Sequence, residues 1–177
     1  MKIERVEVIP FGIPIRKFSD AYTGFSVSNA VLVKIHTNDG LTGYGEACAW
    51  EPEFYGETLE SVAATIEKYI APKIVGENPQ NINRILSIVD ANVAKITCAK
   101  EGIDLALHDL VGKMLDVPVH VLLGGKFRDW IPVASEIGID TPGKMAQNAL
   151  NVLDLGIQVI KIKGSSDHAL DVDRIKA

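Results

Sequence analysis

Lys161 and Lys163 are the residues of this sequence best placed to do chemistry. They stand in Val159-Ile160-Lys161-Ile162-Lys163-Gly164, a short apolar run ending in two lysines and a glycine. Side chains alternate faces along a strand, so Val159, Lys161 and Lys163 share one face and Ile160 and Ile162 the other. Two ammonium groups on one face of an otherwise apolar strand are costly unless that face meets water or a polar cavity. A lysine that is desolvated, or set beside another cation, gives up its proton more readily and can act as a general base. Spacing alone leaves two readings open: a reactive pair over a polar cavity, or an edge strand carrying two solvated lysines.

The elements that must position these lysines follow from periodicity. Ile131 to Ile139 reads as a strand. Asp140-Thr141-Pro142-Gly143 reads as a helix start, with Thr141 as N-cap and Pro142 in the first turn. Met145, Ala149, Val152 and Leu153 form that helix's apolar stripe, and Gly156 supplies a left-handed stop. The lysine strand, 157–163, follows, and a further helix starts near His168. Strand, helix, strand, helix with short connections implies parallel strands.

The preceding sequence has another character. Residues 3–13 read as a strand, followed by a polar, aromatic-containing stretch from Phe18 to Ser28. Residues 30–36 and 41–47 are strand-like runs around Asn38-Asp39-Gly40, a strong hairpin signal. Together they predict a three-stranded antiparallel meander. After an irregular stretch, Cys48 to Gly56, the period changes from two to 3.6. Helices are expected over 57–75, about 80–93 and 97–115. Ile103, Leu107, Leu110, Val111 and Met114 make one stripe of the third, with Asp109 and Lys113 as an i,i+4 pair on its other side. A lone helical histidine, His108, is assigned no chemical role.

Composition bounds the rest. The 177 residues are 47% hydrophobic and 23% charged, enough for a sizeable core. Net charge is −5 and no basic stripe is visible, which argues against nucleic acid and anionic membranes as partners. Cys48 and Cys98 lack metal-site spacing and read as buried thiols of a reducing compartment. The N-terminus has no signal-peptide core and no apolar run is long enough to cross a bilayer. The expected location is cytoplasmic.

Several short motifs occur along the chain: Gly43-Tyr44-Gly45-Glu46-Ala47, Gly56-Glu57-Thr58-Leu59-Glu60-Ser61, Ala106-Leu107-His108-Asp109-Leu110 with Gly112-Lys113, Pro118-Val119, Leu122-Leu123-Gly124-Gly125 and Lys161-Ile162-Lys163. In order and spacing they resemble the N-terminal part of the mandelate racemase / muconate lactonizing enzyme family of the enolase superfamily. The resemblance implies an α+β capping domain at 1–125, the meander plus helices. It implies that 126–177 is the first βαβ part of a TIM-type barrel. Such barrels carry their active sites at the C-terminal ends of the strands. By this similarity Lys163 is the base that moves the proton alpha to a carboxylate. Lys161 would keep Lys163 reactive by charge repulsion and touch the substrate carboxylate.

The superfamily's chemistry pairs such a base with Mg²⁺, which stabilises an ene-diolate. The family takes its Mg²⁺ ligands from later strands, so none is assigned here and they are expected downstream of Ala177. Asp167, Asp171 and Asp173 are read instead as helix N-terminal charges. Substrate choice is implied to come from two capping-domain loops over the barrel mouth. The first is about Ser19–Val27, with Tyr22 and Phe25; the second is about Cys48–Tyr55, with Trp50, Phe54 and Tyr55. Glu136 shares strand parity with Ala134 and Gly138. Facing inward, it would pair with Lys161 or with a cationic substrate group; facing outward, it would be solvated.

The implied function is that of the N-terminal part of an Mg²⁺-dependent racemase, epimerase, cycloisomerase or dehydratase acting on a small carboxylate. A (β/α)₈ barrel takes about 250 residues, and two parallel strands cannot close one. The expectation is therefore a truncated chain, catalytically silent alone and without a defined Mg²⁺ site. It would be completed by a chain carrying the remaining strands, or assembled as a homo-oligomer. Two competing readings are a non-catalytic remnant serving as a binding or assembly module, and an independent α+β ligand-binding domain.

Overall fold

The computed structural model describes residues 1–20, 24–48 and 56–177. The chain divides into two units, Met1–Ile13 with Asn29–Phe127, and Pro14–Ser28 with Arg128–Ala177.

Strands β1 (Ile3–Ser19), β2 (Gly24–Thr37) and β3 (Thr42–Cys48) form a sheet in the order β1-β2-β3. β2 and β3 are antiparallel, with Val33 opposite Gly45 and Ile35 opposite Gly43. Four residues join β1 to β2, too few for a parallel crossover, so these strands also run antiparallel. Both are longer than the sequence pattern predicts, and most of the expected Ser19–Val27 loop is strand. None of the described residues between Pro14 and Ser28 is buried. A strand segment without a buried face carries no apolar alternation to be read.

In the first unit, Val31, Val33 and Ile35 point inward beside Gly43, Gly45 and Ala47. Helices stack on this face. α1 (Leu59–Thr65) starts at a capping box, Thr58 Oγ1 accepting from Ser61 N–H while Ser61 Oγ accepts from Thr58 N–H. A π-helical turn (Ile66–Ile70) leads into α2 (Ala71–Ile74), where one continuous helix is predicted. Pro72 is the physical reason: it has no N–H to give and its ring crowds the carbonyl four residues back. The turn widens, and Ala71 N–H reaches Ile66 O. α3 (Ile82–Asn92) and α4 (Thr97–Leu115) follow close to their predicted spans, and a short α5 (Val119–Leu122) adds to the predicted helices.

α4 lies directly on β3. Ile103, Leu107 and Leu110 of its predicted stripe are fully buried. The Asp109–Lys113 pair does more than brace the helix. Asp109 Oδ2 accepts Tyr44 N–H at 2.8 Å, and Lys113 Nζ donates to Thr42 O at 3.0 Å. Lys113 also sits 4.4 Å from the centre of the Tyr44 ring. The pair therefore clips α4 to β3.

The start of α4 has no local side-chain cap, since Ile96 occupies that position. Glu57, buried and forty-one residues earlier, supplies it: its Oε1 accepts Cys98 N–H at 3.0 Å. Burial, and next the Glu57 charge, push the Cys98 thiol up to about 12, so it is a packing group and not a nucleophile. Glu57→Ala should destabilise the first unit by about 1 kcal/mol, the usual scale of a lost cap. The gain is modest because Glu57 Oε2 is buried without a partner among the described residues. Hydrogen exchange should show earlier opening of the Cys98 amide than in the parent.

On the outer face of the sheet, Glu7 accepts from Arg5, Lys34 and His36 at 3.1, 3.3 and 3.0 Å. Thr42 Oγ1 lies 3.0 Å from the other ring nitrogen of His36. The hydrogen bond from Arg5, then those from His36 and Lys34, lower the Glu7 carboxyl to about 2. A carboxyl lowered in the fold stabilises it above its unfolded value, about 4.3, and loses that contribution as pH falls through the folded value. The stability difference between the parent and Glu7→Gln should thus be level above pH about 5 and shrink towards pH about 2. A difference that grows on acidification would contradict this assignment.

In the second unit, β4 (Ala134–Ile137) pairs in parallel with β5 (Val159–Ile162), and α6 (Pro142–Asp154) packs on β4 and on α7 (His168–Lys176). The parallel strand–helix–strand–helix order agrees with the sequence reading, with shorter strands. Ile131 and Val133, expected in the first of these strands, are exposed and precede it. Thr141 occupies the N-cap position but its side chain makes no capping bond. Gly156 has the predicted left-handed backbone, φ +80°. Among the described residues of this unit only Ile137 and Met145 are buried; Leu153, Val159 and Ile162 are exposed. No helix among the described residues is long and apolar enough to cross a membrane.

Candidate active site

The parallel register sets Glu136 opposite Lys161. Lys163 N–H donates to Ile137 O at 3.1 Å, extending the ladder one step beyond β5. Because side chains alternate, this register puts Glu136, Lys161 and Lys163 on one face at the C-terminal ends of both strands. Glu136 Oε1 is in direct contact with Lys161 Nζ, and Glu136 Oε2 lies 3.7 Å from Lys163 Nζ. The hydrogen bond from Lys161 holds the Glu136 carboxyl below the usual range, with the Lys163 and Lys161 charges adding to it. One carboxylate between two ammonium groups leaves this face with a net charge of +1, which suits an anionic ligand.

The two lysines are not equivalent. The Lys161 side chain is 60% exposed and that of Lys163 only 27%. The Phe18 ring, at the end of β1, accounts for part of the enclosure, with Lys163 Nζ 5.8 Å from its centroid. Phe25 on β2 packs against Phe18, ring centroids 5.5 Å apart and tilted by 44°. Phe25, expected in an irregular loop, is thus a strand residue one ring removed from Lys163. Tyr22, Trp50, Phe54 and Tyr55 lie outside the described residues.

The sequence barely marks Phe18. Its one signal is an aromatic flanking a polar stretch, and the backbone contact that brings it here is tertiary. Ile139 N–H donates to Ser19 O at 2.8 Å, and a Cβ on Gly138 would stand 2.9 Å from that same oxygen. Glycine at 138 is what lets the end of β1 approach the end of β4. A cleft of about 740 Å³ beside β4 is lined by Phe18, Ser19, Glu136 and Gly138 together with α6 residues, but by neither lysine. It is a groove along the open side of β4, not a chamber around the pair.

Among the described residues, no three His, Cys, Asp or Glu side chains come together as a cation site. The carboxylate of Glu136 is turned towards two ammonium groups, which would repel a metal ion. The described residues therefore do not fit an Mg²⁺ cage. Asp167 does cap α7, accepting Leu170 N–H at 3.0 Å, as its helix-terminal reading requires. Asp171 also lies in the first turn of α7, and its carboxylate turns back to Ser165 and Arg174.

The same arrangement of elements occurs in proteins of known activity. The chain is 34% identical over its whole length to the N-succinyl-L-Arg/Lys racemase of Bacillus cereus, covering 48% of that protein. It is 37% identical to the chloromuconate cycloisomerase of Cupriavidus pinatubonensis over 81% of this chain and 39% of that one. The crystal structure of a dipeptide epimerase from Enterococcus faecalis, complexed with Mg and the dipeptide L-Leu-L-Tyr, superposes with a TM-score of 0.94. It has 34% identity, and the match covers 99% of this chain and 49% of that one. The relatives include racemases, epimerases, cycloisomerases and a dehydratase, and the chain spans about half the length of the curated relatives it matches. Residues 4–124 match the model of the mandelate racemase / muconate lactonizing enzyme N-terminal domain, and the chain belongs to that family.

Proposed function

We propose that residues 1–125 form the capping domain, and 126–177 the opening of the barrel, of an enzyme that abstracts the proton alpha to a carboxylate. The observation that carries this reading is the Lys161–Glu136–Lys163 cluster at the C-terminal ends of two parallel strands. In this reading Lys163 takes the alpha proton. It is the more enclosed lysine and the one not in direct contact with Glu136. Lys161 neutralises Glu136 in the resting cluster and turns to the substrate carboxylate on binding. Phe18 keeps water from one side of Lys163, and Tyr22, Phe25, Trp50 and Tyr55 are proposed to shape the substrate end.

Bound Mg²⁺ would stabilise the negative charge that develops on the substrate carboxylate. Its ligands are proposed to lie outside residues 1–177. Deprotonation leads to racemisation, cycloisomerisation or elimination according to where the next proton or leaving group goes, and that step belongs to the rest of the intact protein. The test is exchange in D₂O. The intact protein with Mg²⁺ and a panel of dipeptides, N-succinyl amino acids and muconates should wash out the alpha proton of at least one, read by proton NMR. No exchange across the panel, with folded and Mg²⁺-loaded protein, would sink the reading.

A further inference from the structure

We propose that Ser165, Asp171 and Arg174 form a positioning clamp that fixes the backbone of Lys163 at the end of β5. This inference rests on the reading of Lys163 as the base, and it concerns residues that do not touch the substrate. The clamp is built from the connection after β5 and from the first and last turns of α7. Asp171 Oδ2 accepts Ser165 N–H at 2.7 Å, and Asp171 Oδ1 accepts the Ser165 hydroxyl at 3.0 Å. Arg174 Nη1 donates to Asp171 Oδ1 at 2.6 Å and to Ser165 Oγ at 2.9 Å. Arg174 Nε donates to Asp140 O at 2.9 Å, in the connection that follows β4.

Several features set this apart from ordinary helix capping. The cap of α7 is already supplied by Asp167. The Arg174 side chain is only 8% exposed, an expensive place for a guanidinium unless its donors are used. Here they tie together the connections after both strands. The Ser165 backbone bond, and next Arg174, hold the Asp171 carboxyl below its usual range, so it is charged at neutral pH. Gly164 is part of the fit, since a Cβ there would stand 3.3 Å from Asp171 Oδ2.

The consequence falls on Lys163. Its own N–H is held by β4 through Ile137 O, and the N–H two residues later is held by α7 through Asp171. Only Lys163 and Gly164 lie between the two anchors. A lysine ammonium rides on four methylenes, so a small rotation of the backbone displaces it far more than the Cα. Misplacing a reacting group by about 1 Å can cost on the order of 10²-fold in rate.

The test uses the intact protein and the variants Asp171→Ala, Asp171→Asn and Arg174→Lys, each verified as folded by its thermal melt. The first readout is the rate at which a small amine-reactive reagent modifies Lys163, measured by mass spectrometry against the exposed Lys144 as internal control. Asp171→Ala should change the Lys163 rate severalfold and leave Lys144 unchanged; Asp171→Asn, which keeps an acceptor for Ser165 N–H, should restore much of the parent rate. The second readout is turnover, where kcat should fall on the order of 10²-fold in Asp171→Ala with KM little changed. Identical Lys163 labelling in the parent and in folded variants overturns the clamp. Should Asp171→Ala fail to fold, Asp171→Asn and Arg174→Lys decide the matter by the same labelling. Labelling needs no turnover: an intact protein that exchanges no alpha proton would refute the functional reading, and the clamp would still be judged by Lys163 labelling.

Discussion

Lys163→Ala in the intact protein should abolish alpha-proton exchange with solvent deuterium. The loss should be at least the 10²–10⁴-fold typical of removing a general base, and larger where no other group can take the proton. The fold should survive, because the substitution removes only the approach of Nζ to Glu136 and Phe18, while the backbone bond to Ile137 remains. Mg²⁺ affinity should also survive, since the proposed metal ligands lie away from this lysine face. Lys161→Ala should act differently, raising KM for the carboxylate substrate more than it lowers the exchange rate of bound substrate. Exchange at the parent rate in Lys163→Ala would remove Lys163 from the role of base. A loss of Mg²⁺ binding in the same variant would show that the lysine face and the metal site are not separate.

Gly45→Ala should cost roughly 3 kcal/mol or more, the upper end of what overpacking a core does. The added Cβ would stand 2.1 Å from Gly102 O and 2.6 Å from Ala106 N, both backbone atoms of α4. A flexible side chain could move aside, but a helix backbone on a strand cannot without shifting the whole element. Gly43→Ala meets Ala106 O at 2.2 Å and should behave alike. Gly143→Ala, where nothing lies within 4 Å, is the matched control and should be close to neutral. Chemical denaturation of the three variants checks the ranking. A Gly45→Ala protein as stable as the parent would mean that α4 does not lie on β3 at this distance.

Where apolar residues recur with a strong period, the sequence and the structure agree closely. α4 is the clearest case: Ile103, Leu107 and Leu110 mark its inner face, and the helix spans the predicted residues. The reading fails where the burial signal disappears. β1 and β2 run on through residues that bury no face, so their ends look like loop in the sequence. The π turn before Pro72 interrupts a periodicity that the side chains alone do not break.

Residue types and their parity along the strands are legible without any coordinates. Lys161 and Lys163 must share a strand face because side chains alternate, and Glu136 has a parity that allows it to meet them. The glycines at 43 and 45 carry the family resemblance without stating their purpose. The partners of these residues come from the fold. The parallel register puts Glu136 against Lys161, not one residue away, where every side chain would face the opposite side. The Ser19–Ile139 bond brings Phe18 to Lys163 from more than a hundred residues away, and Arg174 finds an acceptor at Asp140, thirty-four residues earlier. Such meetings depend on register and on the packing of distant backbone segments. Local periodicity records which face of an element is buried, and it holds no information about what that face meets.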